Sequence, residues 1–270
     1  MPESEARAVI PIVAPESWKH LLEERDELRL RLDRQSRELD RVRRDLQQFA
    51  HAASHDLFEP LRLISGFAQL LQTRYHGALD PKADSFIDVI SNEIKRMQAM
   101  IQGLTEFSRV ESRAVPFVST PLDEPLDLAL LVLRSEIEHT GARILRAPLP
   151  TIPADPTQMV TLFHHLIGNA LRFRGDQSPL IQIRAEKQDH AWLIQVADNG
   201  IGIPAKFAER VFIVFQKLHP HGKYPGIGIG LAVSRRIVER HGGRIWVESR
   251  EEPGTTLCLA LPESTLGIPP

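Results

Sequence analysis

A heptad seam constrains this chain more than any other feature of its 270 residues. From Leu21 onward, apolar residues fall at Leu21, Leu28, Leu32, Leu39, Val42, Leu46, Phe49 and Ala53. With Arg25 and Gln35 in the two polar slots, the steps alternate four and three, which is the spacing of a coiled-coil seam. Between the seam positions lie Glu23, Glu24, Arg29, Arg31, Asp33, Arg34, Arg37, Glu38 and Arg41. A helix this polar, with so narrow an apolar stripe, cannot bury its seam alone. The simplest partner is a second copy of itself. The arginines read as a solvated face rather than a nucleic-acid patch.

The seam continues at Leu57, Leu61, Ile64, Ala68, Leu71 and Tyr75. Between Phe49 and Leu61 every step is four, a stutter that locally unwinds a supercoil. Pro60 lies in this stretch; it lacks an amide and crowds the carbonyl four residues earlier, so a bend near Asp56 is expected. Gly77, Asp80 and Pro81 break the helix. A second amphipathic helix places Phe86, Ile90, Met97, Ile101, Leu104 and Phe107 on one face and ends before Pro116. Two antiparallel helices joined by a short loop make a hairpin, and two hairpins in a dimer make a four-helix bundle. Residues 1–15, with three prolines and no sustained period, read as a flexible tail.

After Pro116 the texture becomes mixed α/β. Leu126–His139, Thr157–Phe173 and Gly230–His241 read as helices, the last stopped by Gly242 and Gly243. Ile181–Glu186, Trp192–Ala197, Arg244–Ser249 and Thr255–Leu261 read as strands, which predicts a layered sheet with helices on one side. A hydrophobic content of 42% supports a buried core, and a net charge of −2 gives no global reason to expect nucleic-acid or membrane binding. The single cysteine, Cys258, excludes an intrachain disulfide and reads as strand packing. No apolar run reaches the ~18 residues that cross a bilayer, and the N-terminus does not read as a signal peptide. The expected location is therefore cytoplasmic, with no membrane span.

Three segments of this second region carry chemistry. LFHHLIGNALRFR, residues 162–174, places Asn169 on a helix with Arg172 close by and Leu166, Ala170 and Phe173 on the buried side. A neutral amide oxygen suits Mg²⁺, which keeps waters and borrows phosphate oxygens; a guanidinium suits phosphate. VADNGIGIP, residues 196–204, ends an apolar strand in Asp198 and adds Gly200 and Gly202. A carboxylate there accepts a hydrogen bond from an exocyclic amine such as that of adenine, and the glycines let backbone approach the base. YPGIGIGLAVSRRIVERHGG, residues 224–243, runs Gly226, Gly228, Gly230 and Leu231 into a helix whose free amides favour phosphate. Each segment alone is a weak signal; their order, with the long Pro204–Pro225 stretch between the last two, is a strong one.

Together these segments resemble the N, G1, F and G2 boxes of the ATP-binding domain shared by histidine kinases, type II topoisomerases, heat-shock protein 90 and MutL. The resemblance covers about residues 120–262 and implies a GHKL-type α/β sandwich with ATP under a mobile lid. On that resemblance Asn169 is the Mg²⁺ ligand and Asp198 the adenine reader. VFIVFQKLH looks like the F box, with Phe212 and Phe215 pinning the lid and Lys217 where many members carry arginine. Gly254 resembles the last glycine box. Four residues before Asn169 histidine kinases usually carry another asparagine and the ATP-hydrolysing branches a glutamate base; here it is His165, a candidate phosphate contact.

FAHAASHDLFEPLRLISGFAQLL, residues 49–71, places His55 off the seam, facing solvent near the expected bend. A neutral imidazole, reference pKa ~6.5, is a competent nucleophile at neutral pH. The adjacent Asp56 can orient the ring or take its proton. SHDLFEPLR resembles the H box of the HisKA-type dimerisation domain in its phytochrome-like form, which implies His55 as phosphoacceptor and Asp56 as its acid/base partner. Where many members carry Thr or Asn four residues after the histidine, to position water against the phosphorylated regulator, this chain has Glu59. A metal site on His51 and His55 is disfavoured, since HAASH lacks an acidic third ligand.

The expected organisation is α plus α/β: a tail over 1–15, a coiled-coil signalling helix over 16–45, a dimerisation and histidine-phosphotransfer hairpin over 46–113, a catalytic ATP-binding domain over 114–264, and a tail over 265–270. The implied function is a two-component histidine autokinase. It uses ATP and Mg²⁺, acts as a homodimer, and passes phosphate from His55 to an aspartate of a response-regulator receiver domain. No recognisable sensor precedes the coil, so input is expected through the coiled coil, a partner or a neighbouring protein, a separate sensor being one such partner. Two other readings stay open: a dimeric phosphotransfer scaffold without ATP turnover, which His165 and Lys217 keep in play, and an ATP hydrolase of the same fold.

Overall fold

The computed structural model describes residues 15–112, 115–218, 224, 226–248 and 253–264, without the helical side chains at 15–17, 39–40, 43–55 and 111–112. The chain divides into two units, Met1–Phe49 and Ala50–Pro270. Helix α1 spans Pro15–Tyr75 and runs unbroken through Pro60. The missing amide of Pro60 costs one ladder bond without ending the helix. In the first unit, Leu21, Leu28, Leu32 and Val42 are exposed in the single chain. Among the described residues, no helix is long and apolar enough to cross a membrane.

The second unit begins with a helical hairpin. After Tyr75 the chain turns through Gly77, at φ 75°, whose amide donates to Asp84 Oδ2 at 2.9 Å. Asp80 Oδ1 accepts from the Ala83 amide at 2.8 Å at the start of α2, Pro81–Ser112. Leu61 and Ala68 of α1 pack on Ile94 and Ile101 of α2, with Phe58 beside them. The face expected from the sequence divides in two. Ile101 of that face is buried, whereas Phe86, Ile90 and Met97 remain exposed; Ile87 and Ile94, outside that face, are buried with Ile101. Helical periodicity reports that a residue is apolar, not which of two neighbours will cover it.

The following α/β region is a five-stranded sheet in the order β2-β4-β5-β7-β6. Its strands are β2 Arg143–Arg146, β4 Leu180–Gln188, β5 Ala191–Asp198, β6 Arg244–Glu248 and β7 Thr256–Pro262. β2 pairs parallel with β4 and every other pairing is antiparallel. A separate two-stranded ribbon joins β1, Val118–Pro121, to β3, Thr151–Ala154. Helices α3 (Asp123–Val132), α5 (Pro156–Arg172) and α6 (Gly230–Arg240) share one core with the sheet, and α4 (Arg134–Thr140) packs its Ile137 against it. Alternation decides which strand residues face it: Ile181, Ile183, Ile194, Val196, Leu257, Leu259 and Leu261 meet Leu162, Phe163, Leu166, Ile167, Val233 and Ile237. Full burial of each such side chain contributes about 1.5–3 kcal/mol. The opposite sheet face carries a polar ladder in which Arg184 Nε donates to Gln195 Oε1 at 2.7 Å, with Cys258 Sγ 3.6 Å from Gln195 Nε2.

Where the sequence predicts one helix over Leu126–His139, the structure has two, α3 and α4, joined at Leu133 with ψ 3°. The break turns Leu133 into the core while Leu131 and Val132 stay exposed.

Candidate active site

Helix α5 organises the site. Asp155 caps its start: Oδ1 accepts from the amides of Thr157 and Gln158 at 3.1 and 3.2 Å, and Pro156 fills the first helical position. Buried Leu162, Phe163, Leu166, Ile167, Ala170 and Leu171 fix the roll of the helix on the sheet. That roll sends His165, Asn169 and Arg172 toward the rim, in the half-buried to exposed range, and Phe173 ends the helix beside them.

Three glycines from two segments converge on these residues. A Cβ on Gly200 would lie 2.4 Å from the Phe173 carbonyl oxygen, one on Gly226 would lie 2.8 Å from Arg172 Nη1, and one on Gly230 would lie 3.1 Å from His165 Nδ1. The amide of Ile201 donates to the Phe173 carbonyl at 3.0 Å, closing the first contact. Glycine is required here by approach distance.

Asp198 ends β5 with its carboxylate aimed by backbone: Oδ1 accepts from the Gly200 amide at 2.8 Å and the Thr255 amide at 3.1 Å. Gly202, at φ 77°, closes on Gly254, at φ 126°, and a Cβ on Gly254 would meet the Asp198 carbonyl oxygen at 2.0 Å. The last glycine thus lies against the Asp198 backbone, next to the Thr255 amide that reaches the carboxylate. Gly228, at φ 76°, lies against the Gln216 carbonyl, 2.6 Å from where its Cβ would be. Lys217 Nζ donates to the Tyr224 carbonyl at 3.3 Å, and the Tyr224 ring packs on Phe173 with centroids 5.2 Å apart. Leu231 is half-buried against the domain core at the start of α6.

The two F-box aromatics behave differently. Phe212 is buried, with the Arg235 guanidinium 5.5 Å from its ring centre, and it does pin the segment. Phe215 does not: it is 40% exposed and takes a positive φ of 62°. An expectation of two equivalent anchors therefore reduces to one.

Several residues here carry no sequence signal of comparable strength. His165 Nε2 lies 3.0 Å from Glu106 Oε1 on α2. Burial alone would raise the Glu106 carboxyl, but the hydrogen bond and the charges of His165 and His164 outweigh it and hold the group below its ordinary value. His164 is pushed down, by burial first and then by its neighbour His165. Asp155 is buried and also accepts from Arg240 Nη1 and the Val115 amide, both at 3.3 Å. The Arg240 guanidinium donates to the Val115 carbonyl at 2.8 Å and to Gln158 Oε1 at 3.0 Å. An Asp-Pro step before an apolar period is a readable helix-start signal for Asp155; Glu106 and Arg240 have none.

Asp56 and Glu59 are exposed on α1. The side chains of His51 and His55 lie outside the described residues; the backbone of both is helical. No cluster of three or more His, Cys, Asp or Glu side chains suited to a metal occurs among the described residues. A Mg²⁺ ion here would therefore lean on the Asn169 amide, phosphate oxygens and water, a donor set that fits this ion.

Two family models match the chain: His Kinase A (phospho-acceptor) domain over residues 45–113, and Histidine kinase-, DNA gyrase B-, and HSP90-like ATPase over residues 154–265. Cyanobacterial phytochrome A of Nostoc sp. is 43% identical over 225 residues, covering 83% of this chain and 29% of that protein. The chain thus spans about a third of the length of the curated relatives it matches. Among solved structures, full-length ShkA in complex with AMPPNP aligns with TM-score 0.60 and 22% identity over 80% of this chain and 45% of that one. ThkA in complex with the response regulator protein TrrA aligns with TM-score 0.59 and 22% identity over 85% of this chain and 66% of that one. At that identity these two show the shared fold.

Proposed function

From the premise that the chain belongs to the histidine kinases of two-component signalling, we propose that it is a protein-histidine autokinase that moves the ATP γ-phosphate to His55 and then to an aspartate of a response regulator. The observation that carries this reading is the meeting of Gly200, Gly226 and Gly230 with Phe173, Arg172 and His165 of one helix. On this reading it makes one nucleotide site, with a base end at Asp198 and a phosphate end at the start of α6.

In this reading Asp198 accepts a hydrogen bond from the adenine amine, with Gly200 and Gly202 leaving room for the ring. Phe173 supplies the apolar wall, Lys217 and Leu231 border the nucleotide, and Gly226, Gly228 and Gly230 let backbone amides approach the phosphates. Arg172 neutralises phosphate charge. Mg²⁺, held by Asn169 and the phosphates, supplies charge neutralisation when bound. An imidazole nitrogen of His55 attacks the γ-phosphorus, the bond to the β–γ bridging oxygen breaks, ADP leaves, and Asp56 takes or orients the ring proton. The exposed faces of α1 and α2 meet those of a second copy, making the bundle on which a receiver domain docks.

The test is incubation with γ-labelled ATP and Mg²⁺. Acid-labile, alkali-stable label that disappears in His55→Ala supports the autokinase. Intact dimers with no label support a scaffold, and phosphate release that survives His55→Ala supports a hydrolase.

A further inference from the structure

We propose that Glu106 is a positioning residue for nucleotide binding: its carboxylate and the terminal phosphates of the nucleotide are alternative partners of His165. This inference rests on the nucleotide reading above.

The His165 side chain is 15% exposed, and its ring has two edges. The Nδ1 edge faces Gly230, so closely that a Cβ there would stand 3.1 Å away. The Nε2 edge, the one left for an anion, already holds Glu106 Oε1 at 3.0 Å. Gly230 opens α6, whose first turn has no side-chain cap; its free amides and dipole favour negative charge. Asn169 follows His165 by four residues and shares its helix face. Glu106 therefore sits at the phosphate end of the cleft as an anion of the chain's own. Its carboxyl is held below the ordinary carboxylate value, and an imidazole N–H serves one acceptor at a time. A phosphate arriving at His165 meets a like charge and a donor already engaged.

The contact also carries the hairpin. One turn before Glu106, Gly103 leaves room for Ile227 and Ile229 of the glycine-rich segment; a Cβ there would lie 2.6 Å from Ile227 Cδ1 and 2.9 Å from Ile229 Cγ2. Next to Glu106, the Phe107 ring lies 5.3 Å from the Arg236 guanidinium. Helix α2 is thus docked against the very segment that leads into the phosphate end. By linkage, whatever weakens phosphate binding through Glu106 is returned as weaker docking of α2 when phosphate binds.

The test uses the full chain and measures dissociation constants for Mg·AMPPNP and for adenosine in the wild type, Glu106→Gln, His165→Asn and the double variant. Glu106→Gln is expected to tighten Mg·AMPPNP by about tenfold, to leave adenosine unchanged, and to have a smaller effect on the His165→Asn background, where only the like-charge repulsion remains. Unchanged or weaker Mg·AMPPNP binding in Glu106→Gln overturns the proposal, the weaker case meaning that the carboxylate charges the imidazole for phosphate instead. An equal shift for adenosine also overturns it, since the effect would not pass through phosphate. Failure of the wild type and every variant to bind Mg·AMPPNP overturns the nucleotide reading together with this one, and is distinguishable from the other results.

Discussion

The backbone amide of Asp155 donates to His241 Nε2 at 3.1 Å, while Nδ1 of the same ring donates to the Ile237 carbonyl at 2.7 Å. One nitrogen must accept and the other must donate, so the folded state holds a neutral imidazole. Burial pushes His241 down to about 4, against ~6.5 in an unfolded chain. Above ~6.5 neither state binds the proton and the residue leaves stability unaffected. As pH falls from ~6.5 to about 4, the unfolded chain takes the proton and the folded one does not, so stability is lost. The expected loss is on the order of 3 kcal/mol by pH 4. Urea unfolding at pH 7, 5.5 and 4 reads it, and His241→Phe should flatten that segment of the curve. An identical slope in wild type and variant would exclude His241 as the cause.

Asp155 itself does two jobs that mutation separates. Its Oδ1 caps α5, and its Oδ2 pairs with Arg240 Nη1 at 3.3 Å, where both side chains are shielded, at 2% and 16% exposure. Burial lowers the Arg240 guanidinium, and Asp155 pulls it back up. Asp155→Asn keeps a capping oxygen and a neutral polar group facing Arg240, and should cost about 1–2 kcal/mol by removing the charge of the pair. Asp155→Ala removes the cap, about 1 kcal/mol, and leaves Arg240 without its counter-charge, for a total of about 3 kcal/mol. Equal costs in the two variants, measured by denaturant midpoint at constant slope, would show that the cap contributes nothing.

How much of this was legible in the sequence follows from what each residue answers to. Helices α5 and α6 and strands β4, β5 and β7 were readable within a few residues, because their burial follows the helical or strand period. Strands β1, β2 and β3 were not. Each has four residues, and Arg143–Arg146 is an edge strand with an arginine at either end, so its apolar content is too small to show a period. The Leu133 break has no Gly or Pro to announce it; core packing imposes it. In the candidate site, Asn169, Arg172, Asp198 and the glycines stood out because each is a chemical type within a motif that the family resemblance picks out. Glu106 did not: it meets His165 across 59 residues of sequence, and no local pattern encodes that contact.

The glycines of the cleft are expected to differ sharply in tolerance. Gly200→Ala drives a methyl into the Phe173 carbonyl oxygen at 2.4 Å, and Gly254→Ala drives one into the Asp198 carbonyl oxygen at 2.0 Å with φ at 126°. Both obstacles are backbone and cannot swing aside. Each variant should lose about 1–3 kcal/mol of stability and most nucleotide binding. Gly175→Ala, with nothing within 4 Å of its Cβ, is the control and should match the wild type in both. Nucleotide affinity retained in Gly254→Ala would show that the Asp198 carboxylate does not depend on this contact.

The exposed apolar face of the hairpin gives an oligomer prediction. Ile64, Phe67, Leu71 and Ile90 line an open apolar groove, and exposed apolar surface of this kind marks an interaction site. A charge placed there should split the proposed dimer. Ile90→Glu is expected to halve the mass found by sedimentation equilibrium at micromolar protein, with unchanged helical content. Ser119→Glu, on an exposed ribbon strand, should leave the mass unchanged. A wild type that sediments as a monomer, or an Ile90→Glu variant as heavy as the wild type, removes this face from the interface.

Asp198 offers the sharpest separation of binding from folding. Its Oδ1 accepts two backbone amides, from Gly200 and Thr255, so the side chain is held by geometry that an amide oxygen can also satisfy. Asp198→Asn therefore keeps the loop in place, with a stability change within about 1 kcal/mol. What it alters is the group offered to the base: one carboxylate oxygen becomes an NH₂ donor, which faces the exocyclic amine of adenine donor to donor. A charged acceptor is replaced by a clash, and a site that loses such a hydrogen bond commonly loses on the order of a hundredfold or more in affinity. Titration with Mg·AMPPNP, alongside urea unfolding of the same preparation, reads both quantities. Weak nucleotide binding with intact stability is the expected result. Unaltered affinity would mean that Asp198 supports the loop and the base is read elsewhere.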